Sequence, residues 1–273
     1  DSYEAAPPPP PVAEGENYGT IQDNPIIATA QESTSTFSID VDTGGYSNVR
    51  RFLNAGSLPP KDAVRVEEMI NYFKYASDLP PKGRDPNPPF SVRTERMQTP
   101  WNAKTQLLRI GIQGWQPAAL PPMNLVFLVD VSGSMEASNK LPLLKTGLKM
   151  LTKTLRANDT VSIVVYAGAA GVVLPPTSGD QKETILDALN NLSAGGSTNG
   201  GEGIALAYRL AHQVQKAEPS SITRVLLATD GDFNVGNVNF EDLIQLVSSE
   251  RKSGIGLSTL GFGDGDYNEN LME

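Results

Sequence analysis

Cysteine is absent from this 273-residue chain, and histidine occurs once, at position 212. Without cysteine the chain has no disulfide bond, no thiolate nucleophile and no cysteine-ligated zinc. His212 falls in the middle of a segment with helical spacing and away from any serine nucleophile turn, which disfavours a Ser-His-Asp hydrolase. A P-loop and a Gly-x-Gly-x-x-Gly fingerprint are also missing. Enzymatic function therefore has little support in the sequence.

Basic residues are scarce at the start of the chain. The formal net charge is −9, and the first 49 residues contain no lysine or arginine. The acidic residues of this stretch are Asp1, Glu4, Glu14, Glu16, Asp23, Glu32, Asp40 and Asp42. The remainder of the chain is nearly neutral and has no basic stripe, which binding to a nucleic-acid backbone requires. We therefore expect no nucleic-acid partner.

Long apolar runs are lacking as well. None reaches the roughly 18 to 20 residues that span a bilayer, so we expect no transmembrane segment in this chain. Residues 1–33 combine a run of five prolines with acidic and small residues, and this composition cannot bury enough apolar surface to become ordered. We interpret them as a disordered, acidic, proline-rich tether. It either follows a removed signal or lipid anchor upstream of Asp1, or links two domains.

Residues 34–118 have the pattern of a small α+β module. Gly56 is a C-terminal signal for its first helix, and a proline-rich stretch stops the second. The predicted strands are 35–42, 90–97 and 105–115, and the predicted helices are 44–56 and 59–75.

In residues 119–273 strands and helices alternate, which predicts an α/β domain with a doubly wound, mostly parallel sheet flanked by helices. Residues 125–129 are continuously apolar, as expected for a strand buried on both faces. Further strands are predicted at 161–166, 171–174, 225–228 and 255–262. Helices are predicted to start near residues 142, 180, 204 and 242. On the first of these helices Lys145, Lys149 and Lys153 share a face, which we interpret as a solvated surface rather than a docking surface.

Oxygen-bearing side chains occur at three places in this α/β region. Asp130, Ser132 and Ser134 follow the apolar run, Thr198 lies in a loop of small residues, and Asp230 follows the strand 225–228. In open α/β sheets ligands bind where the carboxyl ends of the strands meet. Two aspartates that end buried strands are costly charges unless something neutralises them. A bound cation would do so, and hydrogen bonds alone are the alternative.

The donor types select the cation. Carboxylate and hydroxyl oxygens suit Mg²⁺, Ca²⁺ or Mn²⁺, and these residues offer no soft ligand for zinc or copper. Because several donors are neutral hydroxyls, a bound divalent cation keeps positive charge and can accept an anionic oxygen from outside. We therefore expect Mg²⁺, or Ca²⁺ or Mn²⁺, with an acidic side chain of a partner protein as a further ligand.

These segments resemble the metal-ion-dependent adhesion site of von Willebrand factor type A (VWA) domains. Its pattern is Asp-x-Ser-x-Ser with a threonine and an aspartate on separate loops. The resemblance implies a VWA, Rossmann-like fold with a metal centre formed by Asp130, Ser132, Ser134, Thr198 and Asp230. In that family the two serines bind the metal directly, whereas the other three residues bind it directly or through water.

Residues 36–73 resemble the N-terminal module of the bacterial YfbK-like group of VWA proteins, many of which resemble lipoproteins. This resemblance implies the cell envelope, periplasmic or surface-exposed and lipid-anchored, or secretion. VWA domains continue through another helix and a last strand, so we expect the chain to be truncated at its C-terminus. The missing strand would be an edge of a 3-2-1-4-5-6 sheet. We also expect the missing part to complete a small β-domain with the strands of residues 34–118.

Several further residues have both a functional and a structural interpretation. Gly133, Asp232 and Asn234 are candidates for orienting the ligands, although the latter two are equally plausible as loop caps. Asp264, Asp266, Asn268 and Asn270 alternate like the start of a calcium loop, but the acid required at the twelfth position is missing, which favours a polar loop. For Asp40 and Asp42 we prefer a helix boundary, with Asp42 or Thr43 near the N-cap, over cation binding.

The predicted function is metal-dependent protein binding or adhesion at the bacterial cell envelope. A metal-assisted hydrolase is the first alternative, and it would need a general base near the ion. An intracellular VWA adaptor for an ATPase is the second alternative. It would have no signal peptide upstream.

Overall fold

The chain forms two units. In the computed structural model one unit comprises Asn24–Leu120, here called the smaller unit, and the larger unit comprises Asp1–Asp23 with Pro121–Glu273. The structure describes residues 16, 18–20, 22, 24–37, 39, 41–75, 89–115, 117, 119–167, 169–195, 200–231 and 240–263, without the side chains of 200 and 240–243. In these ranges no helix is both long and apolar enough to cross a membrane.

The smaller unit contains two helices and a two-stranded antiparallel sheet. Its elements are α1 (Gly44–Asn54), a 3₁₀ turn (Lys61–Ala63), α2 (Val66–Asn71), β1 (Phe90–Gln98) and β2 (Gln106–Gly114). β1 and β2 pair from Phe90 with Gly114 to Gln98 with Gln106. Both strands and the first helix were predicted from sequence, and the structure confirms them.

Helix α1 ends as its glycine predicts. Gly56 has a φ of 75°, a conformation that glycine adopts without steric cost. Its N–H donates to the Leu53 carbonyl at 3.1 Å, and the Ser57 N–H donates to the Phe52 carbonyl at 3.0 Å. These two bonds form a Schellman motif, which satisfies carbonyls that the helix end leaves open.

Two predictions for the smaller unit are wrong. The single helix at 59–75 is divided into the 3₁₀ turn and α2, because Val64 and Arg65 have extended backbones. The strand at 35–42 is not formed by its described residues, and Phe37, Ile39 and Val41 are more than half exposed. A strand needs a neighbouring backbone to accept its hydrogen bonds, and alternation of residue types does not supply one.

Helix α1 begins with a cap supplied by another helix. Its N-cap residue, Thr43, makes no side-chain capping bond, although Asp42 or Thr43 was predicted for that role. Instead the Gly45 N–H donates to Glu68 Oε2 at 2.5 Å. A Cβ at Gly45 would lie 3.1 Å from that oxygen, so the glycine permits the close approach. The buried carboxylate of Glu68 in α2 thus joins the two helices.

The larger unit contains a five-stranded sheet in the order β5-β4-β3-β6-β7. Its strands are β3 (Met123–Asp130), β4 (Thr160–Tyr166), β5 (Ala170–Ser178), β6 (Ile222–Thr229) and β7 (Gly256–Gly261). β5 is antiparallel to β4, whereas the other neighbouring strands are parallel. Numbered within this unit, the order is 3-2-1-4-5, which confirms the predicted doubly wound and mostly parallel arrangement over the described strands.

Helices pack on both faces of this sheet. They are α3 (Leu141–Thr154), α4 (Lys182–Asn190), α5 (Gly200–Ala217) and α6 (Phe240–Lys252). β3 alternates between two apolar clusters: Phe127 and Val129 pack with residues of α3 and α4, and Val126 and Leu128 pack with residues of α5. The continuous apolar run in β3 therefore follows from burial on both faces.

A buried carboxylate, that of Asp159, binds the amino-terminal end of the central strand β3. Asp159 Oδ1 accepts the Met123 N–H at the start of β3 and a guanidinium N–H of Arg156, at 3.0 and 2.6 Å. Its Oδ2 accepts the Arg156 backbone N–H at 2.7 Å. Burial raises the pKa of Asp159. The hydrogen bonds from Arg156 and Met123 lower the pKa by more than burial raises it, so the pKa lies below 3.8.

Replacing Glu68 by Ala should uncap α1 and destabilise the smaller unit by about 1 kcal/mol. Hydrogen exchange at the first amides of α1 measures this loss, and these amides should exchange faster in the variant. Glu67→Ala is the matched control, because Glu67 is the adjacent acid in α2 and its side chain is 49% exposed. Equal protection of these amides in wild type and Glu68→Ala would contradict the cross-helix cap.

Replacing Asp159 by Asn should reduce the free energy of unfolding by about 1 to 2 kcal/mol at neutral pH, because the buried carboxylate loses its charge-assisted hydrogen bonds to Arg156, whose side chain is 37% exposed. The folded protein binds the Asp159 proton less readily than the unfolded chain does. Its stabilisation is therefore complete above pH 3.8 and is lost as the pH falls through the folded pKa. Urea unfolding at several pH values tests both statements, with the exposed Asp180→Asn as control. A difference from wild type that does not shrink in acid would be the opposite result.

Candidate metal centre

The carboxyl ends of three adjacent strands meet beside Asp130, the last residue of β3. In the parallel register Asp130 is paired with Tyr166 at the end of β4. On the other side Val129 is paired with Ala228, so the next residues, Thr229 and Asp230, come level with Asp130. The sheet order therefore brings two of the predicted site residues, Asp130 and Asp230, to one edge.

The carboxylate of Asp130 is completely buried and accepts three hydrogen bonds. Its Oδ1 accepts the Ser132 N–H at 2.8 Å. Its Oδ2 accepts the hydroxyl of Tyr166 at 3.2 Å and that of Thr229 at 3.1 Å. A carboxylate has about four acceptor positions, so the hydrogen bonds from the described residues use three of the positions on Asp130.

Burial dominates the acid–base properties of this carboxylate. Burial raises the pKa of Asp130 above 3.8, hydrogen bonding by Ser132 lowers it, and the negative charge of Asp230 raises it again. Burial and the charge of Asp130 also raise the pKa of Tyr166 well above 10.0, so that Tyr166 donates as a neutral hydroxyl. A positive charge at this edge would favour the ionised form of Asp130.

Ser132 and Ser134 follow Asp130 at the start of a 3₁₀ turn, Gly133–Glu136. Their Oγ atoms lie 3.0 Å apart. Adjacent ligands of an octahedral Mg²⁺ with bonds of about 2.1 Å are separated by about 3.0 Å, so this spacing fits two neighbouring metal ligands as well as a hydrogen bond. Ser132 is buried, whereas Gly133 and Ser134 are exposed. The pair therefore leads from the buried carboxylate to the surface.

Asp230 is bound by a cationic side chain. Lys140, at the start of α3, donates from Nζ to Asp230 Oδ2 at 2.8 Å. The Lys140 and Asp230 side chains are 9% and 1% exposed. The two aspartates of the site are thus held differently, one by neutral donors and the other by an ammonium group.

Thr198, Asp232 and Asn234 lie outside the described residues, as do Asp264, Asp266, Asn268, Asn270 and Asp40. The described residues on either side of the Thr198 loop contact the site. The Gly195 N–H donates to the Val131 carbonyl at 2.7 Å. A Cβ at Gly203 in α5 would lie 2.9 Å from Tyr166 Cβ, so this helix packs tightly against the end of β4.

His212 belongs to a different part of the larger unit. It contacts Glu250 of α6 at 2.6 Å. The carbonyl of the preceding residue, Ala211, accepts from the Asn124 side chain at 3.2 Å. Because Asn124 is at the amino end of β3, His212 lies near the end of that strand opposite Asp130.

Sequence reasoning missed three residues of the site: Lys140, Tyr166 and Thr229. Tyr166 and Thr229 are the last residues of strands adjacent to β3, and the convergence of parallel strand ends could have identified them. Lys140 had no such signal, because its contact with Asp230 joins residues that are 90 positions apart.

The described donors fit a hard divalent cation. The Asp130 carboxylate accepts the backbone N–H of Ser132, and the hydroxyl oxygens of Ser132 and Ser134 lie at the spacing of neighbouring ligands. In the described part of the chain, no three His, Cys, Asp or Glu side chains form a cluster that could hold a metal. A metal here would therefore depend on hydroxyl ligands as well as carboxylates.

Replacing Tyr166 by Phe should reduce the free energy of unfolding by about 1 to 2 kcal/mol, because buried Asp130 loses a donor. Tyr208→Phe is the matched control, since the Tyr208 hydroxyl is buried without a hydrogen-bond partner among the described residues. That control should change stability by less than about 0.5 kcal/mol. Urea unfolding measures both variants, and equal losses would contradict the role assigned to Tyr166.

Two family models match the chain. The model described as von Willebrand factor type A domain matches residues 124–273, and the model described as von Willebrand factor matches residues 12–109. The match to the type A domain covers the five-stranded sheet except Met123, the first residue of β3, and it includes both serines of the site.

Individual proteins are similar to the chain over different lengths. YfbK of Escherichia coli (strain K12) is 47% identical over 260 residues, covering 93% of this chain and 45% of YfbK. Human inter-alpha-trypsin inhibitor heavy chain H3 is 27% identical over 168 residues, covering 58% of this chain and 18% of that protein. The chain thus spans less than half the length of these relatives.

A solved structure, von Willebrand factor type A from Catenulispora acidiphila, is 20% identical with a TM-score of 0.48, covering 67% of this chain and 42% of that one. The domain match, the sheet order and the sequence of the site agree with one another. This chain belongs to the von Willebrand factor type A domain family.

Proposed function

We propose that this chain is a metal-dependent protein-binding module of the bacterial cell envelope. Asp130, Ser132, Ser134, Thr198 and Asp230 would hold a divalent cation, with Mg²⁺ as the first candidate and Ca²⁺ or Mn²⁺ as alternatives. The cation would supply a positively charged coordination position for an acidic side chain of the partner. Domains of this family typically mediate interactions between proteins, and the proposal extends that general role to a particular chemistry.

The observation that carries the proposal is the pair of serine hydroxyls 3.0 Å apart next to a buried carboxylate. A carboxylate with a raised pKa is costly to ionise, and a cation would remove that cost. Neutral hydroxyl ligands leave more of the cation's charge uncompensated than carboxylate ligands would. Because Ser134 is exposed, an external acid can approach from its side.

The envelope location is supported by the sequence alone. Residues 1–33 are acidic and rich in proline, which suits a tether that separates a folded domain from an anchor. Fractionation of cells that express the full-length protein tests the location. Recovery in the cytosolic fraction would favour the adaptor for an ATPase instead.

Wild-type protein should bind Mn²⁺, and Ser134→Ala should weaken that binding at least about tenfold because a ligand is lost. Ser134 is exposed, so this variant is expected to fold normally. Asp130→Ala should abolish binding, with Asp187→Ala as the control for removing an exposed acid. Electron paramagnetic resonance of free Mn²⁺ measures the affinities. Unchanged affinity in Ser134→Ala and Asp130→Ala would reject this site.

The same variants test partner binding. An envelope extract passed over immobilised wild type should yield a protein that is retained in Mg²⁺ and released by EDTA. Asp130→Ala should not retain it, whereas Asp187→Ala should. Retention that persists in EDTA would contradict a metal-dependent interaction. Metal-dependent turnover of a phosphoester substrate would favour the hydrolase alternative.

A further inference from the structure

Lys140 is placed in the interior of the larger unit with its charged end at the candidate metal centre. Its Nζ lies 2.8 Å from Asp230 Oδ2, and its side chain is 9% exposed. Lysine is almost never buried to this extent unless it is paired. The contact is therefore part of the architecture of the site and not an incidental surface ion pair.

The position of Lys140 in α3 is not explained by helix formation. It is the N-cap residue, with φ −115° and ψ −113°, and its side chain makes no capping bond. Ser, Thr, Asp and Asn are strongly preferred at this position because their side chains accept from the first helical N–H groups. Lysine can only donate. Residues that break a local rule without local compensation often serve a functional site.

A second segment of the chain encloses the same side chain. Gly263 follows β7 with a φ of 87°, and a Cβ there would lie 2.5 Å from Lys140 Cε and 2.9 Å from Lys140 Cγ. The backbone at Gly263 thus lies directly against the lysine stem. The segment after β7 therefore packs against the stem of the side chain whose ammonium group contacts Asp230.

Lys140 changes the net charge of the candidate metal centre. Asp130 and Asp230 carry two negative charges, and Lys140 compensates one of them. With a divalent cation bound, this group of charges would total +1, and an external carboxylate would bring it to zero. Without Lys140 the same group with its cation would already be neutral, and a carboxylate would leave one negative charge next to the buried Asp130 and Asp230. Such a charge is unfavourable.

We propose that Lys140 is a positioning residue that makes the metal centre selective for an anionic ligand, weakening cation binding while strengthening carboxylate capture. The inference rests on the proposed function, because it requires both a bound cation and an external acid. It goes further in assigning the choice of ligand charge to a residue outside the metal-binding motif. Neutralising Lys140 should therefore change the two affinities in opposite directions.

The test compares two neutral variants with a charged one. Lys140→Met keeps an unbranched apolar stem, and Lys140→Gln keeps a donor that can reach toward Asp230 without the charge. Lys140→Arg retains the charge, and Lys153→Met removes an exposed lysine from the same helix as control. Circular dichroism and thermal unfolding establish that each variant is folded. The Gln variant preserves the test if the Met variant does not fold.

Two affinities are measured for each variant. Mn²⁺ binding is followed by electron paramagnetic resonance. Carboxylate capture is followed by the Mn²⁺-induced broadening of the proton resonances of N-acetyl-aspartate amide, at saturating metal. We expect Lys140→Met and Lys140→Gln to bind Mn²⁺ about tenfold more tightly and the probe about tenfold more weakly. Lys140→Arg should retain probe binding, and Lys153→Met should match wild type in both measurements.

The outcomes separate this inference from the proposed function. If wild type binds Mn²⁺ and the probe but the neutral variants change neither affinity, or change both in the same direction, the role of Lys140 is rejected while the metal centre stands. If wild type binds neither Mn²⁺ nor the probe, the proposed function itself fails and the inference falls with it. Opposite changes in both neutral variants support the inference.

Discussion

The carboxylate of Asp130 imposes the main constraint on the larger unit. It ends the central strand of the sheet without exposure to solvent, and an ionised group in that position must be matched by donors. Its donors come from the turn after β3, from the end of β4 and from the end of β6. Only a sheet in which β3 lies between two parallel strands brings these three regions together. The strand order is therefore what provides the buried charge of Asp130 with its hydrogen-bond donors.

The two aspartates of the site have different electrostatic roles. The donors to Asp130 are neutral, so they stabilise its carboxylate but leave its charge in place. Lys140 instead compensates the charge of Asp230. This asymmetry makes Asp130 the group that most needs an added positive charge, whereas Asp230 already has one. The side chains of Ser132 and Ser134 connect the first of these groups to the surface.

In the smaller unit, local sequence patterns predicted some elements correctly and others not. The strands β1 and β2 were predicted closely, since each has a neighbour a short distance along the chain. Residues 35–42 alternate equally well, yet their described residues form no strand. The cap of α1 also comes from outside the local sequence, because Glu68 is 23 positions from Gly45. Local patterns thus predicted the strands that pair with a neighbour nearby in sequence, and they did not predict the cap, whose acceptor is distant in sequence.

The sequence by itself determined the type of fold, since burial of β3 on both faces requires its continuous apolar run. It also pointed to Asp130 and Asp230 as buried charges that need a cation, and the resemblance to the VWA metal site added Ser132, Ser134 and Thr198 as candidate ligands. The tertiary structure decided which donors satisfy Asp130 and that Lys140 pairs with Asp230. Apart from the bond of the Ser132 N–H to Asp130, these contacts join positions 36 to 99 residues apart. Such pairings depend on strand order and helix packing, which bring distant residues together, and neither leaves a periodic pattern along the chain.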